Sequence, residues 1–424
     1  MKTVKLIIFL VIFSAAVFAQ PDFYLKSMMN YRKAVSSLEN GYKDSLLYFI
    51  KQANIYRENH PGLIYARASA YCLNGFTDSS MNDLQLLSEM GLYFTPQKDS
   101  DFVKLWKYRR FKNIVSSFEK NNDPFGNGTP LFELDKNDRI IEGITFDKRS
   151  KSYYLSNVTR GGLVLLDSSM IISEFPLPDS INYFSLLGLT ADSNNNCLWI
   201  AASALKQSVN AASGKTGISA LVKFELETKT FEVVFNTSGS GENHSFNDIC
   251  IGDSGFVYIT DSRSNSIYRF DPNVNDYEIF INPGIFVSLQ GIAFDYEKNQ
   301  IFTADYSLGI SRINIKTKSV TFLNPPAKNT LLGIDGLYIT GNNLVAVQNG
   351  VKPNKVMKIT LNNDHSSIDS VTIVNSNLPF YDEPTLGFIR DGNFIYIANS
   401  QWNKFEGSAP KDSTQNTVVI STGL

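Results

Sequence analysis

Cysteine, histidine and net charge are all scarce in this 424-residue chain, and each scarcity excludes something. The three cysteines, Cys72, Cys197 and Cys250, are an odd number, and two fall inside expected strands. They read as buried free thiols, so no disulfide framework is expected. A net charge of −2 gives no electrostatic reason to expect nucleic acid as a partner. Beyond the first 18 residues no apolar run is long enough to span a bilayer, so no membrane span is expected.

What is present begins with a leader. In "MKTVKLIIFLVIFSAAVFAQ", Lys2 and Lys5 precede an apolar run from Leu6 to Phe18. Val17 and Ala19 fit a signal-peptidase site with Gln20 as the mature start. No cysteine lies at the cut, which argues against a lipid anchor. Residues 1–19 are expected to be a signal peptide, and the mature chain a soluble secreted or periplasmic protein. The mature length suggests two domains.

Residues 20–120 have helical periodicity. "YKDSLLYFIKQANIY" puts Leu46, Leu47, Ile50 and Ala53 on one face. Pro61 suits a first helical turn, and Gly75 a C-terminal cap. Ala66, Ala68 and Ala70 suggest close crossings in antiparallel hairpins. The segment resembles tetratricopeptide repeats. It reads either as a cap on the next domain or as a surface for a protein partner. "NNDPFGNGTP", over residues 121–128 and just beyond, then reads as a linker.

From residue 129 the period becomes that of strands. A hexamer recurs six times in degraded form: "EGITFD" at 142, "LGLTAD" at 187, "NDICIG" at 247, "QGIAFD" at 290, "DGLYIT" at 335 and "LGFIRD" at 386. A second and a third strand follow each copy, and a fourth follows most. Four short strands per unit at this period predict propeller blades. The last unit lacks a fourth strand, and the early strand "TPLFEL" has no unit, so that strand is expected to close the ring in blade six. The fold class is therefore mainly β: a six-bladed propeller over residues 129–424, preceded by a small all-α domain of helical hairpins.

The first strand of a blade lines the central channel. The residue opening each copy gives a column of Glu142, Leu187, Asn247, Gln290, Asp335 and Leu386. Two carboxylates and two amides converging on one axis make a hard oxygen cage, the set Ca²⁺ prefers, with Mg²⁺ or Mn²⁺ as alternatives. Zinc is disfavoured because no His or Cys joins the column. Polar residues in a wet channel that bind only water are the other reading.

These motifs resemble the SMP-30/gluconolactonase/LRE-like six-bladed propeller family, with paraoxonase and strictosidine-synthase-like propellers as more distant relatives. The resemblance covers the propeller alone. It implies that Glu142, Asn247, Gln290 and Asp335 hold one divalent metal; Gln290 departs from the family's Asn. It also implies calcium-dependent hydrolysis of a lactone or related ester, with Asp335 as ligand and base. His244, on the loop entering blade three, is a second catalytic candidate or an exposed loop residue. Asn157, Asp261, Asp305 and Asn399, at second-strand ends, read as support for the ligands or as turn caps. The small, polar segment 201–217 reads as a lid or a disordered insertion. A non-catalytic binding or scaffold protein is the competing class.

Overall fold

The computed structural model describes residues 20–135 and 138–424. The expected signal peptide lies outside the described residues. By internal contacts the chain forms two units. Among the described residues, one comprises those up to Asp123 with Pro325–Thr330 and Val351–Pro353; the other comprises those from Pro124 to Asn324 with Leu331–Gly350 and Asn354–Leu424.

The first unit carries five α-helices among the described residues: α1 (Asp22–Glu39), α2 (Lys43–Tyr56), α3 (Pro61–Leu73), α4 (Thr77–Glu89) and α5 (Arg109–Asn121). The apolar face expected on α2 is formed: Leu46, Ile50 and Ala53 are buried against Ala34 of α1 and Leu63 and Ala70 of α3. Ile64, Ala68 and Cys72 on the other side of α3 meet Leu84 and Leu87 of α4 and Phe111, Ile114 and Phe118 of α5. His60 precedes α3, where its Nδ1 accepts the Leu63 N–H at 3.2 Å. No helix among the described residues is long and apolar enough to cross a membrane.

The second unit is a six-bladed propeller of four-stranded antiparallel sheets. Blades one to five span residues 141–175, 185–236, 246–281, 289–322 and 334–376. Blade six is built from both ends of the unit. Gly387–Arg390, Asn393–Ile397 and Thr417–Gly423 supply three strands, and Thr129–Leu134 pairs with Thr417–Gly423 as the fourth. The sequence shows why: without it the last blade would have three strands where each of the others has four. The innermost strands touch in a closed ring, with Ile141–Asp147 meeting Gly387–Arg390.

Six apolar layers lie between adjacent blades. Phe132, Leu134 and Val419 of blade six pack on Ile144 and Leu155 of blade one, for example. Cys197 and Trp199 of blade two pack on Phe246 and Ile259 of blade three. The layers arise from strands that are buried on both faces, such as Cys197–Ser203 and Gln300–Asp305. Cys72 and Cys197 are buried and free, while Cys250 is free and only half-buried.

The recurring glycine acts as the sequence suggests. A Cβ on Gly143 would meet the Leu187 carbonyl of blade two at 2.9 Å, and one on Gly291 the Asp335 carbonyl of blade five at 2.4 Å. Neighbouring backbones approach too closely at the axis for any side chain there.

Candidate functional site

Each column residue in blades one to five sits at a break in its ladder. Pairing between the first and second strands skips from Ile141 to Ile144, Leu186 to Leu189, Phe246 to Ile249, Leu289 to Ile292 and Ile334 to Leu337. The skipped pairs are Glu142–Gly143, Leu187–Gly188, Asn247–Asp248, Gln290–Gly291 and Asp335–Gly336. Such a bulge bends the strand and re-aims its side chains. Second-strand hydroxyls satisfy amides it frees: Ser156 Oγ accepts the Gly143 N–H at 2.8 Å, and Thr260 Oγ1 the Asp248 N–H at 3.1 Å.

The four polar column residues separate into two pairs. In the amide pair, Asn247 Nδ2 donates to Gln290 Oε1 at 2.5 Å, and Gln290 Nε2 donates to Ser288 Oγ at 3.3 Å. In the acidic pair, Glu142 is buried and its Oε2 accepts from Ser400 Oγ at 2.8 Å and from the Trp402 indole at 2.5 Å. Asp335 is half-buried and its Oδ2 accepts from Asn349 Nδ2 at 2.7 Å. Asn349 is itself anchored: it donates to the Pro384 carbonyl at 3.0 Å and accepts from the Tyr306 hydroxyl at 3.0 Å.

The acidic pair is electrostatically loaded. Burial pushes the Glu142 carboxyl above the usual range, and the Asp335 charge pushes it further, against the bonds from Trp402 and Ser400. Burial raises Asp335 as well; the Asn349 bond opposes this and the Glu383 charge adds to it. Glu383 also acts on Glu142. Next to the amide pair, burial pushes Asp248 up to about 7 against the N–H groups of Ile249 and Ile292.

A hard divalent cation fits the acidic pair, because it would offset the Asp335 charge that acts on the buried Glu142 carboxylate. Among the described residues no three His, Cys, Asp or Glu side chains are arranged around a metal position, so the remaining contacts would fall to neutral oxygens. Gln290 fits less well, since its Oε1 already holds the Asn247 amide. Beyond the column, a cavity of about 370 Å³ runs along the inner strands, lined by Ile144, Leu189, Ile292, Leu337, Phe388 and Asp248 among others.

The loop reading of His244 needs correction, because the side chain is buried at 3% exposure. Its Nδ1 lies 2.6 Å from Asp261 Oδ2 and its Nε2 2.9 Å from Ser240 Oγ. The blade-two insertion meets this loop at Gly217, whose carbonyl accepts the His244 N–H at 2.7 Å. Second-strand ends hold turns. Asp261 Oδ1 accepts the N–H groups of Ser245, Arg263 and Ser264, and Asp305 accepts four, from Val287, Ser288, Ser307 and Leu308. Asn157 accepts from Arg160 N–H and Asn399 from Val418 N–H.

Sequence reasoning missed Ser400, Trp402, Asn349 and Glu383. Asn349 lies one residue past the second strand of blade five, whereas Asp261 and Asp305 end theirs in blades three and four, so the strand-end signal points to Gln348 instead. Trp402 and Ser400 lie in a long connection of blade six that also forms the small hairpin Phe405–Glu406 and Ala409–Pro410.

No protein-family model and no curated protein matches the sequence. The chain is similar to several solved structures. The luciferin-regenerating enzyme aligns with TM-score 0.49 and 12% identity over 71% of this chain and 95% of that one. A gluconolactonase from Xanthomonas campestris aligns with TM-score 0.47 and 10% identity over 71% and 99%. Virginiamycin B lyase from Staphylococcus aureus aligns with TM-score 0.46 and 12% identity over 70% and 100%. This chain is a six-bladed propeller preceded by helices, and the solved structures similar to it include gluconolactonase-like and virginiamycin B lyase propellers.

Proposed function

We propose that the acidic pair at the channel forms a calcium-dependent hydrolytic site for a lactone or related ester in an exported protein. The observation that carries this reading is a buried Glu142 whose proton affinity is raised by burial and by the Asp335 charge, beside an Asp335 raised by burial and by Glu383. Such a pair is costly without a countercharge. When bound, a hard cation would polarise a substrate carbonyl and stabilise the oxyanion.

The chain's own residues do the rest. Ser400 and Trp402 fix the Glu142 carboxylate in one orientation. Asn349, tethered by Tyr306 and the Pro384 carbonyl, fixes Asp335. Asp335 is the base that takes a proton from water, and its raised pKa brings it nearer to the working pH of such a base. His244 is committed to Asp261 and Ser240 and stands outside this step.

The test is hydrolysis of aldonolactones and aryl esters with calcium and with chelator. Asp335→Asn keeps an oxygen and loses the base, so turnover should fall by roughly 100-fold or more while calcium affinity falls less. No calcium-dependent turnover, or an Asp335→Asn variant equal to wild type, would favour the binding-protein reading.

A further inference from the structure

We propose a second catalytic site, independent of any metal: a Ser240–His244–Asp261 triad that cleaves small accessible esters through an acyl-serine intermediate. Ser240 Oγ lies 2.9 Å from His244 Nε2, and His244 Nδ1 lies 2.6 Å from Asp261 Oδ2. These are nucleophile–base and base–orienter distances. Asp261 Oδ2 fixes the tautomer by accepting the Nδ1 proton, which leaves Nε2 free to accept from the serine. The other oxygen, Oδ1, accepts three backbone N–H groups, so the carboxylate is rigidly placed. The imidazole is buried at 3% exposure, while Ser240 at its far edge is exposed.

A second histidine provides an internal comparison. His365 Nδ1 lies 2.6 Å from Asp295 Oδ2, and His365 is fully buried. Its Nε2 meets Asn342 Oδ1 at 3.0 Å, an amide that cannot attack a carbonyl. That arrangement only ties loops together. In blade three the same geometry ends in an exposed hydroxyl instead.

The surroundings of Ser240 suit attack. Gly239 and Gly241 flank it, and a Cβ at either would meet nothing within 4 Å. The Gly241 N–H makes no hydrogen bond among the described residues and is available to an oxyanion. At rest Ser240 Oγ also lies 2.9 Å from the Thr237 carbonyl and 3.3 Å from that of Glu242, and it accepts the Glu242 N–H at 3.2 Å. The hydroxyl proton must therefore turn from the Thr237 carbonyl to Nε2 before attack.

The step balances with water alone. Ser240 Oγ bonds to the ester carbonyl carbon as its proton passes to Nε2, and the alcohol leaves with that proton. Water then attacks the acyl carbon and gives a proton to Nε2. The acid departs as that proton returns to Ser240 Oγ.

The test is labelling of the whole protein by a fluorophosphonate in excess chelator, read by mass spectrometry of peptides, together with short-chain aryl-ester turnover in the same buffer. Chelator removes the calcium-dependent reaction, so the two sites fail separately. The expected result is one adduct at Ser240, lost in Ser240→Ala, and at least tenfold slower in His244→Gln with an unchanged melting temperature. If His244→Gln melts lower, the rate in Asp261→Asn and the wild-type labelling decide. No adduct, an adduct at another serine, or equal labelling in both histidine-side variants would overturn the proposal.

Discussion

The side-chain amide of Asn247 donates a 2.5 Å hydrogen bond to Gln290 Oε1, joining the inner strands of blades three and four at the channel. Asn at position 290 would be one methylene shorter and would release that bond. Gln290→Asn should therefore tighten calcium binding several-fold by calorimetry, with lactone turnover kept or raised. Weaker binding would mean that the amide pair builds the site rather than competing with it.

Without calcium, the contribution of the raised channel carboxyls to stability should fall as pH rises from about 5 to 8, opposed below about 6.5 by His60, which burial holds low. Glu142, Asp335 and Asp248 all have folded-state pKa values above the usual carboxylate range, near 4. At these groups, in that window, the unfolded chain holds fewer protons than the native state, so rising pH favours unfolding. For Asp248 the loss is complete above about 7. Each unit of raised pKa corresponds to about 1.4 kcal/mol. Carboxyls held low, such as Asp147 and Asp295, act only under more acidic conditions. Saturating calcium should flatten the part due to Glu142 and Asp335 and leave that of Asp248. Thermal melts across pH, with calcium and with chelator, check the sign; a melting temperature that rises above about pH 6.5 contradicts it.

Leu134 is fully buried in the layer between blades six and one. Leu134→Ala should cost about 2–5 kcal/mol in chemical denaturation. Deleting residues 129–135 should cost far more, because it removes the whole strand paired with Thr417–Gly423 together with its apolar contacts to blade one. An unchanged thermal transition in the deletion would refute ring closure as a stabilising device.

Asp305→Ala strands four backbone N–H groups, of Val287, Ser288, Ser307 and Leu308. At about 1–3 kcal/mol for each donor left buried, and with water reaching some of them, a loss of about 3 kcal/mol or more is expected. A loss under 1 kcal/mol would show these turns to be self-sufficient.

The blades were legible because two local signals, strand alternation and a repeated glycine, recur in phase. The closing strand was legible as a shortfall of one in the last unit. The column was readable residue by residue, but its division into an amide pair and an acidic pair was not. That division depends on side-chain reach, as in the extra methylene of Gln290. Trp402 meets Glu142 from the far end of the sequence, which no local pattern reports. "GSGENHSF" has the composition of an exposed loop, yet His244 is buried where its own blade's Asp261 and Tyr268 and another blade's connection meet it.

The pairing of Thr129 with Ser421 also sets an order of events during synthesis. The strand Thr129–Leu134 leaves the ribosome before any complete blade exists, and its partner, Thr417–Gly423, is made only after blades one to five. Until then the nascent chain carries five finished sheets and one unfinished one, so ring closure waits for the last blade. Because Thr417–Gly423 lies between Asn393–Ile397 and Thr129–Leu134 in the sheet, a premature stop that removes it deletes two pairings at once. Such a product would leave both Asn393–Ile397 and Thr129–Leu134 without their shared partner, two unpaired edges exposed to the cell's quality control.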